Sequence, residues 1–207
     1  MSKIENTIKE NSKNPTKEQL ARLNWDEMFI NIALMAGKRT SCIYHKVGSV
    51  FVDDNHRIIS IGYNGPAAGD VNCNEVGCAK VHGNSENKRL EYCRGIHSEI
   101  NAICNCQDTN RLRGATLYVT VFPCYRCMKS LVNVGIKKIV YFEEYLRIEE
   151  GTGKRKEQGD IEPGSLELAQ KVGIWIEKFD PNKKKIAKFN FENDKDAKKP
   201  GVFQKRF

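Results

Sequence analysis

Residues 115–142, ATLYVTVFPCYRCMKSLVNVGIKKIVYF, contain an apolar, β-branched run (115–121), a Pro-Cys-x-x-Cys turn (Pro123, Cys124, Cys127), a helical stretch (about 124–134) and a second apolar run (136–142). Strand, helix and strand in so short a span form a βαβ unit, which calls for a right-handed crossover and a parallel strand pair. Pro123 suits the start of the helix, where its missing N–H has no intrahelical partner to lose. The alternation continues outward in both directions. A helix is expected over 97–107, and after a polar loop holding Gly151-Thr152-Gly153-Lys154 come a helix over 163–171 and a strand over 173–179. Upstream, the runs 47–52 and 57–63 flank Asp53-Asp54-Asn55-His56 and read as a β-hairpin. Trp25, Met28, Phe29, Ile32, Leu34, Met35 and Ala36 recur at helical spacing and stop at Gly37, read here as a C-terminal glycine. The architecture expected is α/β: a three-layer α/β/α sandwich with a five-stranded mixed sheet opened by the hairpin.

The chain of 207 residues carries 34 Lys+Arg against 26 Asp+Glu, a net charge of +8. The charge is uneven. Residues 181–207 hold nine basic residues against three acids, a local +6 that leaves the body near +2. A body so close to neutral argues against a dedicated nucleic-acid surface. Three parts are expected: a polar arm over 1–23 with a short helix from about Lys17, a domain over 24–180 holding a Cys-rich insertion at 64–95 without regular structure, and a basic tail over 181–207. The tail is expected to be mobile or docked through Phe189, Phe191, Phe203 and Phe207. No run of 18 apolar residues and no signal-peptide core occurs, so a soluble, cytoplasmic chain without membrane partners is expected. In that setting the eight cysteines read as reduced thiols or metal ligands rather than disulfides.

His97-Ser98-Glu99 opens one expected helix and Pro123-Cys124-Tyr125-Arg126-Cys127 opens the next. Imidazole and thiolate suit zinc, and a catalytic zinc takes three protein ligands and keeps one position open. His97, Cys124 and Cys127 meet that count. The i, i+3 spacing of the two cysteines puts both sulfurs on one side of a helical turn, and a helix N-terminus favours the thiolate form. On a regular helix His97 and Glu99 would stand about 200° apart. Glu99 is therefore expected to be a non-ligating carboxylate beside the metal-bound water. Alone, the Cys-x-x-Cys could be a redox pair or half of a structural zinc site. The joint pattern H-x-E…P-C-x-x-C is the signature of zinc nucleobase deaminases, in which zinc acidifies a water and the glutamate carries its proton.

Lys46-Val47-Gly48-Ser49-Val50, Gly62-Tyr63-Asn64-Gly65-Pro66, His97-Ser98-Glu99-Ile100-Asn101-Ala102-Ile103 and Thr116-Leu117-Tyr118-Val119-Thr120 leading into Pro123-Cys124 resemble the deoxycytidylate (dCMP) deaminase family over about residues 25–180. The resemblance implies a cytidine-deaminase-like fold and hydrolysis of dCMP to dUMP and ammonia, supplying thymidylate synthesis. It also implies a homo-oligomer, commonly a hexamer, activated by dCTP with Mg2+ and inhibited by dTTP. Two positions depart from the family pattern. Ser98 stands where the family usually has Ala, with little effect expected, and Phe122 stands where a smaller or more polar residue is usual, which bears on substrate preference.

Asn64 and Asn101 match family positions near the nucleotide, and Tyr145 resembles a tyrosine lining its pocket. Asn64 also suits a turn, and Tyr145 a packing role. Arg39, Lys46, Arg94 and Arg126 are candidates for the phosphate. Cys42 and Cys73 match positions that bear a second, structural zinc in some members. The ligand set expected is Cys42, Cys73, Cys78 and Cys93, with His82 as substitute, clamping 64–95 to the start of the first strand. Cys104 and Cys106 read as small core fillers. The alternatives are another zinc deaminase, acting on tRNA adenosine, dCTP or a free base, and a catalytically silent zinc-bound assembly module. A scaffold would have no need of Glu99.

Overall fold

The computed structural model describes residues 22–82, 93–145 and 162–181. The helix expected from Lys17, the Gly151–Lys154 loop and the tail beyond residue 181 lie outside them. Helix α1, Trp25–Lys38, starts at a capping box: the Asn24 side chain accepts from Glu27 N (2.9 Å) while the Glu27 carboxylate accepts from Asn24 N (2.7 Å). Strands β1 (Gly48–Val52) and β2 (Ile58–Tyr63) form the hairpin, followed by β3 (Gly65–Pro66), α2 (Cys73–Val76), α3 (Ala79–His82) and β4 (Gly95–Ile96). Then come α4 (Ser98–Cys104), β5 (Thr116–Val121), α5 (Tyr125–Val134), β6 (Lys138–Glu143), α6 (Pro163–Lys171) and β7 (Trp175–Lys178).

The main sheet has the order β2-β1-β5-β6-β7, with β1 antiparallel to β2 and β5, and with β5, β6 and β7 parallel. This is the five-stranded mixed sheet expected. Strand alternation divides its side chains between two cores. Phe51, Leu117, Val119, Ile139 and Tyr141 pack with Ala102 of α4, Met128 and Leu131 of α5 and Ala169 of α6. Val50, Val52, Tyr118 and Val140 pack with Phe29, Ile30 and Ala33 of α1 and with Phe179. Helices thus cover both faces in three layers, and the Tyr118 hydroxyl donates to Asp26 Oδ1 (2.8 Å), tying α1 to the central strand.

Four expectations need correction. The buried stripe of α1 is Phe29, Ile30, Ala33 and Gly37, whereas Trp25 and Met28 are 47% and 38% exposed. The reason is closeness of approach. A Cβ on Gly48 would lie 1.9 Å from Ala33 O, and one on Gly37 would lie 3.1 Å from Lys46 O, so the helix meets β1 along its smallest residues. Gly37 is therefore a contact glycine inside the helix, which runs on to Lys38; Gly135, at φ 79°, does end α5.

The 64–95 insertion is not devoid of regular structure. It holds α2 and α3, and β3 pairs with β4 (Gly65 with Ile96, Pro66 with Gly95), which joins its two ends. Cys104 is exposed at the end of α4 instead of filling the core, because the inward face of that helix is taken by Ser98, Glu99 and Ala102. Cys106 is half-buried against the core, its thiol donating to Asp108 O. Among the described residues no helix is long and apolar enough to cross a membrane.

Candidate active site

Strand β5 ends at Val121, and three residues later Cys124 is the N-cap of α5, in extended conformation (φ −69°, ψ 164°). Cys127 lies on the first turn. The strand end is fixed by Phe122 N donating to Glu143 O (2.9 Å), the Pro123 carbonyl by Ser165 Oγ (2.7 Å), and the first N–H of α5, on Tyr125, by the Glu162 carboxylate (2.6 Å). His97 is likewise the N-cap of α4 (φ −71°, ψ 151°), delivered there by the β3–β4 pair. Helix α4 rests directly on β2. A Cβ on Gly62 would lie 2.3 Å from Ser98 O and 2.4 Å from Ala102 N, and the side chains of Asn101 and Asn105 donate to Tyr63 O (2.8 Å) and Ile61 O (3.0 Å).

Here the two motifs meet. His97 Nδ1 is 3.4 Å from Cys124 Sγ and 3.3 Å from Cys127 Sγ, and all three donor atoms lie within 4.8 Å of one another. Glu99 lies beside them, 4% exposed. His97 precedes the helix, in extended conformation, so the angular argument between positions 97 and 99 does not apply.

Proton affinities in this group are shifted in both directions. The Cys124 thiol is lowered to about 4 by its hydrogen bond with Cys127, against its burial and with further help from His97. The same bond, together with burial, pushes Cys127 up. The hydrogen bond to Cys124 raises His97 to about 9. Burial pushes Glu99 up, opposed by the His97 charge. One imidazole and two sulfurs converging within 4.8 Å fit a zinc ion, whose ligands must be deprotonated, so that binding releases the protons His97 and Cys127 hold.

Residues 23–143 match the family described as cytidine and deoxycytidylate deaminase zinc-binding region, more than half of the chain. The chain belongs to the cytidine and deoxycytidylate deaminase family. The chain is 40% identical over 131 residues to a deoxycytidylate deaminase of Mycobacterium phage D29, covering 60% of this chain and 99% of that one. It is 31% identical over 166 residues to a deoxycytidylate deaminase of Schizosaccharomyces pombe, covering 80% of this chain but 47% of the other, so it spans about half the length of that relative. A crystal structure of dCMP deaminase from the cyanophage S-TIM5 in complex with dCMP and dUMP superposes with a TM-score of 0.55 at 22% identity, covering 74% of this chain and 95% of that one. At that identity the likeness concerns the fold.

The other residues singled out in the sequence are scattered more widely over the chain. Asn64 accepts from Val47 N (2.9 Å) and donates to His45 O (2.9 Å), while Asn101 is bonded to Tyr63 as above; both amides hold backbone. Tyr145 stacks on His45 (5.1 Å between ring centres). His45 and Lys46 line a cavity of about 270 Å3 together with Ile43, Tyr44, Val47, Val121, Glu143 and Glu144. Arg126 is close enough to His97 for its charge to oppose imidazole protonation, Arg94 donates to Gly77 O (3.4 Å), and Arg39 follows the end of α1. Phe122 is buried, edge-on to Tyr141.

Cys42, Cys73, Cys78 and Cys93 are near enough that the other three sulfurs, after burial, push the Cys73 thiol up. Among the described residues, however, no three of them draw together as closely as the His97 group. The His82 side chain lies outside the described residues. None of the eight cysteines is in a disulfide.

Sequence reading missed Glu162 and Ser165, which hold the Cys124 turn from α6, and the hydroxyls of Ser49 and Ser98. A signal existed for Ser49: a lone polar residue in an apolar strand that is buried on both faces.

Proposed function

We propose that this chain hydrolyses dCMP to dUMP and ammonia. The observation that carries the reading is a buried carboxylate, Glu99, beside one imidazole and two sulfurs that converge within 4.8 Å. The names of the relatives support dCMP as the substrate. His97, Cys124 and Cys127 would hold the zinc. When bound, zinc supplies a Lewis acid that makes a water reactive near neutral pH. Glu99 does the proton work. It accepts a proton from the attacking water as the oxygen bonds to C4 of the pyrimidine and passes it to N3; it then takes the remaining proton from the new C4 hydroxyl and gives it to the exocyclic amine as the C4–N bond breaks, C4=O forms and ammonia leaves. A carboxyl whose proton affinity is raised by burial suits both accepting and giving.

In this reading Tyr145 and His45 wall the nucleotide. Asn64 and Asn101 act from the pocket rim by fixing the backbone of residues 45–47 and 63. Of the four cations, Lys46, in the cavity wall, and Arg126, near His97, are assigned to the 5′ phosphate. Homohexamer assembly, activation by dCTP with Mg2+, inhibition by dTTP and a cytoplasmic location belong to the same proposal. So does a second, structural zinc on Cys42, Cys73, Cys78 and Cys93.

The test is ammonia release from dCMP, with and without dCTP and Mg2+, on protein whose zinc has been counted. Cytidine, dCTP, cytosine and an adenosine anticodon stem-loop serve as competing substrates. Turnover of dCMP above the others supports the reading; if dCMP is the poorest substrate the assignment fails, and no turnover on any substrate favours the silent module. Elemental analysis should find about two zinc ions per chain, falling to about one in Cys73→Ser. A count that is the same in both proteins would remove the second site.

A further inference from the structure

We infer that Ser98, backed by Ser49, positions the Glu99 carboxylate; the inference rests on the proton-carrier role proposed above. Ser98 Oγ donates to Glu99 Oε2 at 2.9 Å, and Ser49 Oγ lies 2.7 Å from Ser98 Oγ. Both serines are fully buried, so neither finds water as a substitute partner, and Glu99 is 4% exposed. A hydroxyl has a single proton. Ser98 gives its own to the carboxylate, so Ser49 must donate to Ser98, and the chain runs in one direction: Ser49 to Ser98 to Glu99.

Three elements hold this chain. Ser49 belongs to the central strand β1, whose residues are all buried, and Ser98 opens α4. The Ser98 carbonyl is pressed by Gly62 of β2 so closely that a Cβ there would be 2.3 Å away. The donor is thus fixed by the scaffold at both its backbone and its side chain. Ser98 gives Glu99 a fixture that the alanine usual in the family would not, contrary to the small effect expected from the sequence, because the last torsion of a glutamate is broad and two-fold and the hydrogen bond defines the carboxylate plane. With Oε2 held by Ser98, Oε1 is the oxygen left to exchange protons. Ser98 is a positioning residue: it acts through Glu99 and touches no substrate.

The test compares Ser98→Ala, Ser49→Ala and the double variant with wild type, each with its zinc counted. Ser98→Ala should lower kcat about tenfold, the cost typical of lost partners behind a metal-site residue, with KM and zinc content unchanged. It should also lower the melting temperature, because Ser49 is left without its acceptor. Removing both hydroxyls abolishes the Ser49 orphan and leaves only Glu99 Oε2 without its donor, so the double variant should recover the part of the melting temperature lost through Ser49 while kcat stays low. An independent readout is the crystal structure of metal-free Ser98→Ala, in which the Glu99 carboxylate should turn away from its wild-type orientation. A wild-type kcat in Ser98→Ala, a kcat that recovers together with stability in the double variant, or an unmoved carboxylate would each overturn the inference. A wild type inactive on dCMP would instead overturn the deaminase reading, and that result appears before any substitution is made.

Discussion

Glu99→Gln should bind zinc at the wild-type level and turn over dCMP about 10³–10⁴-fold more slowly, at the upper end of what a general acid–base group contributes. The substitution keeps the size of the side chain and leaves the three donor atoms of His97, Cys124 and Cys127 untouched, so the metal count should not move. What it removes is the ability to accept a proton. An amide oxygen can take the hydrogen bond from Ser98 but cannot receive and return a proton in each cycle. Zinc counting and initial rates on the same sample separate the two effects. Loss of zinc would make Glu99 a ligand or a structural support, and undiminished turnover would remove it from the mechanism.

Gly62→Ala should be among the most destructive single changes outside the donor set. Its Cβ would sit 2.3 Å from Ser98 O and 2.4 Å from Ala102 N. Both are backbone atoms of α4, so no side chain can swing aside and the helix itself must lift from β2. Overpacking in a core costs about 1–3 kcal/mol and occasionally more, and a clash with backbone on two turns of one helix belongs at the upper end or beyond. Because His97 and Glu99 lie at the start of that helix, zinc binding should fall together with the melting temperature. Gly164→Ala is the control: its Cβ would meet only the Tyr125 ring, at 3.6 Å, an ordinary contact, and should leave stability and zinc unchanged. A Gly62→Ala protein that melts like wild type with full zinc would mean that α4 does not rest on β2 as described.

What could be read from the sequence followed from periodicity. The β-branched runs, the helices between them and the turn at Asp53–His56 are local patterns, and they recovered the strands, the hairpin and the mixed sheet. The His97, Cys124 and Cys127 group was legible for another reason: metal donors are few in kind, and their spacing at helix starts limits what they can reach. The failures share a cause in tertiary proximity. Trp25 and Met28 have the apolar character of a core face, but α1 turns Phe29, Ile30, Ala33 and Gly37 to the sheet, with the small Ala33 and Gly37 at the closest approach. Gly37 looked like a stop because its close neighbours, Lys46 and Gly48, belong to another element. Ser98 looked like a small filler because its partners are a strand residue 49 positions away and an oxygen of the adjacent side chain.

The two-residue ladder of β3 and β4 also bears on how this protein can change over generations. It brings Gly65 and Pro66 against Ile96 and Gly95, immediately before His97, so the position of that histidine is set by a short clasp and not by the path of the chain between its two halves. Chain added or deleted inside the clasp, away from Cys73, Cys78 and Cys93, alters mainly the entropy of closing a loop, and a doubling of length costs only about 0.6 kcal/mol. The segment between Pro66 and Gly95 is therefore a place where lineages can exchange, shorten or enlarge a whole module while the chemistry next door stays in register.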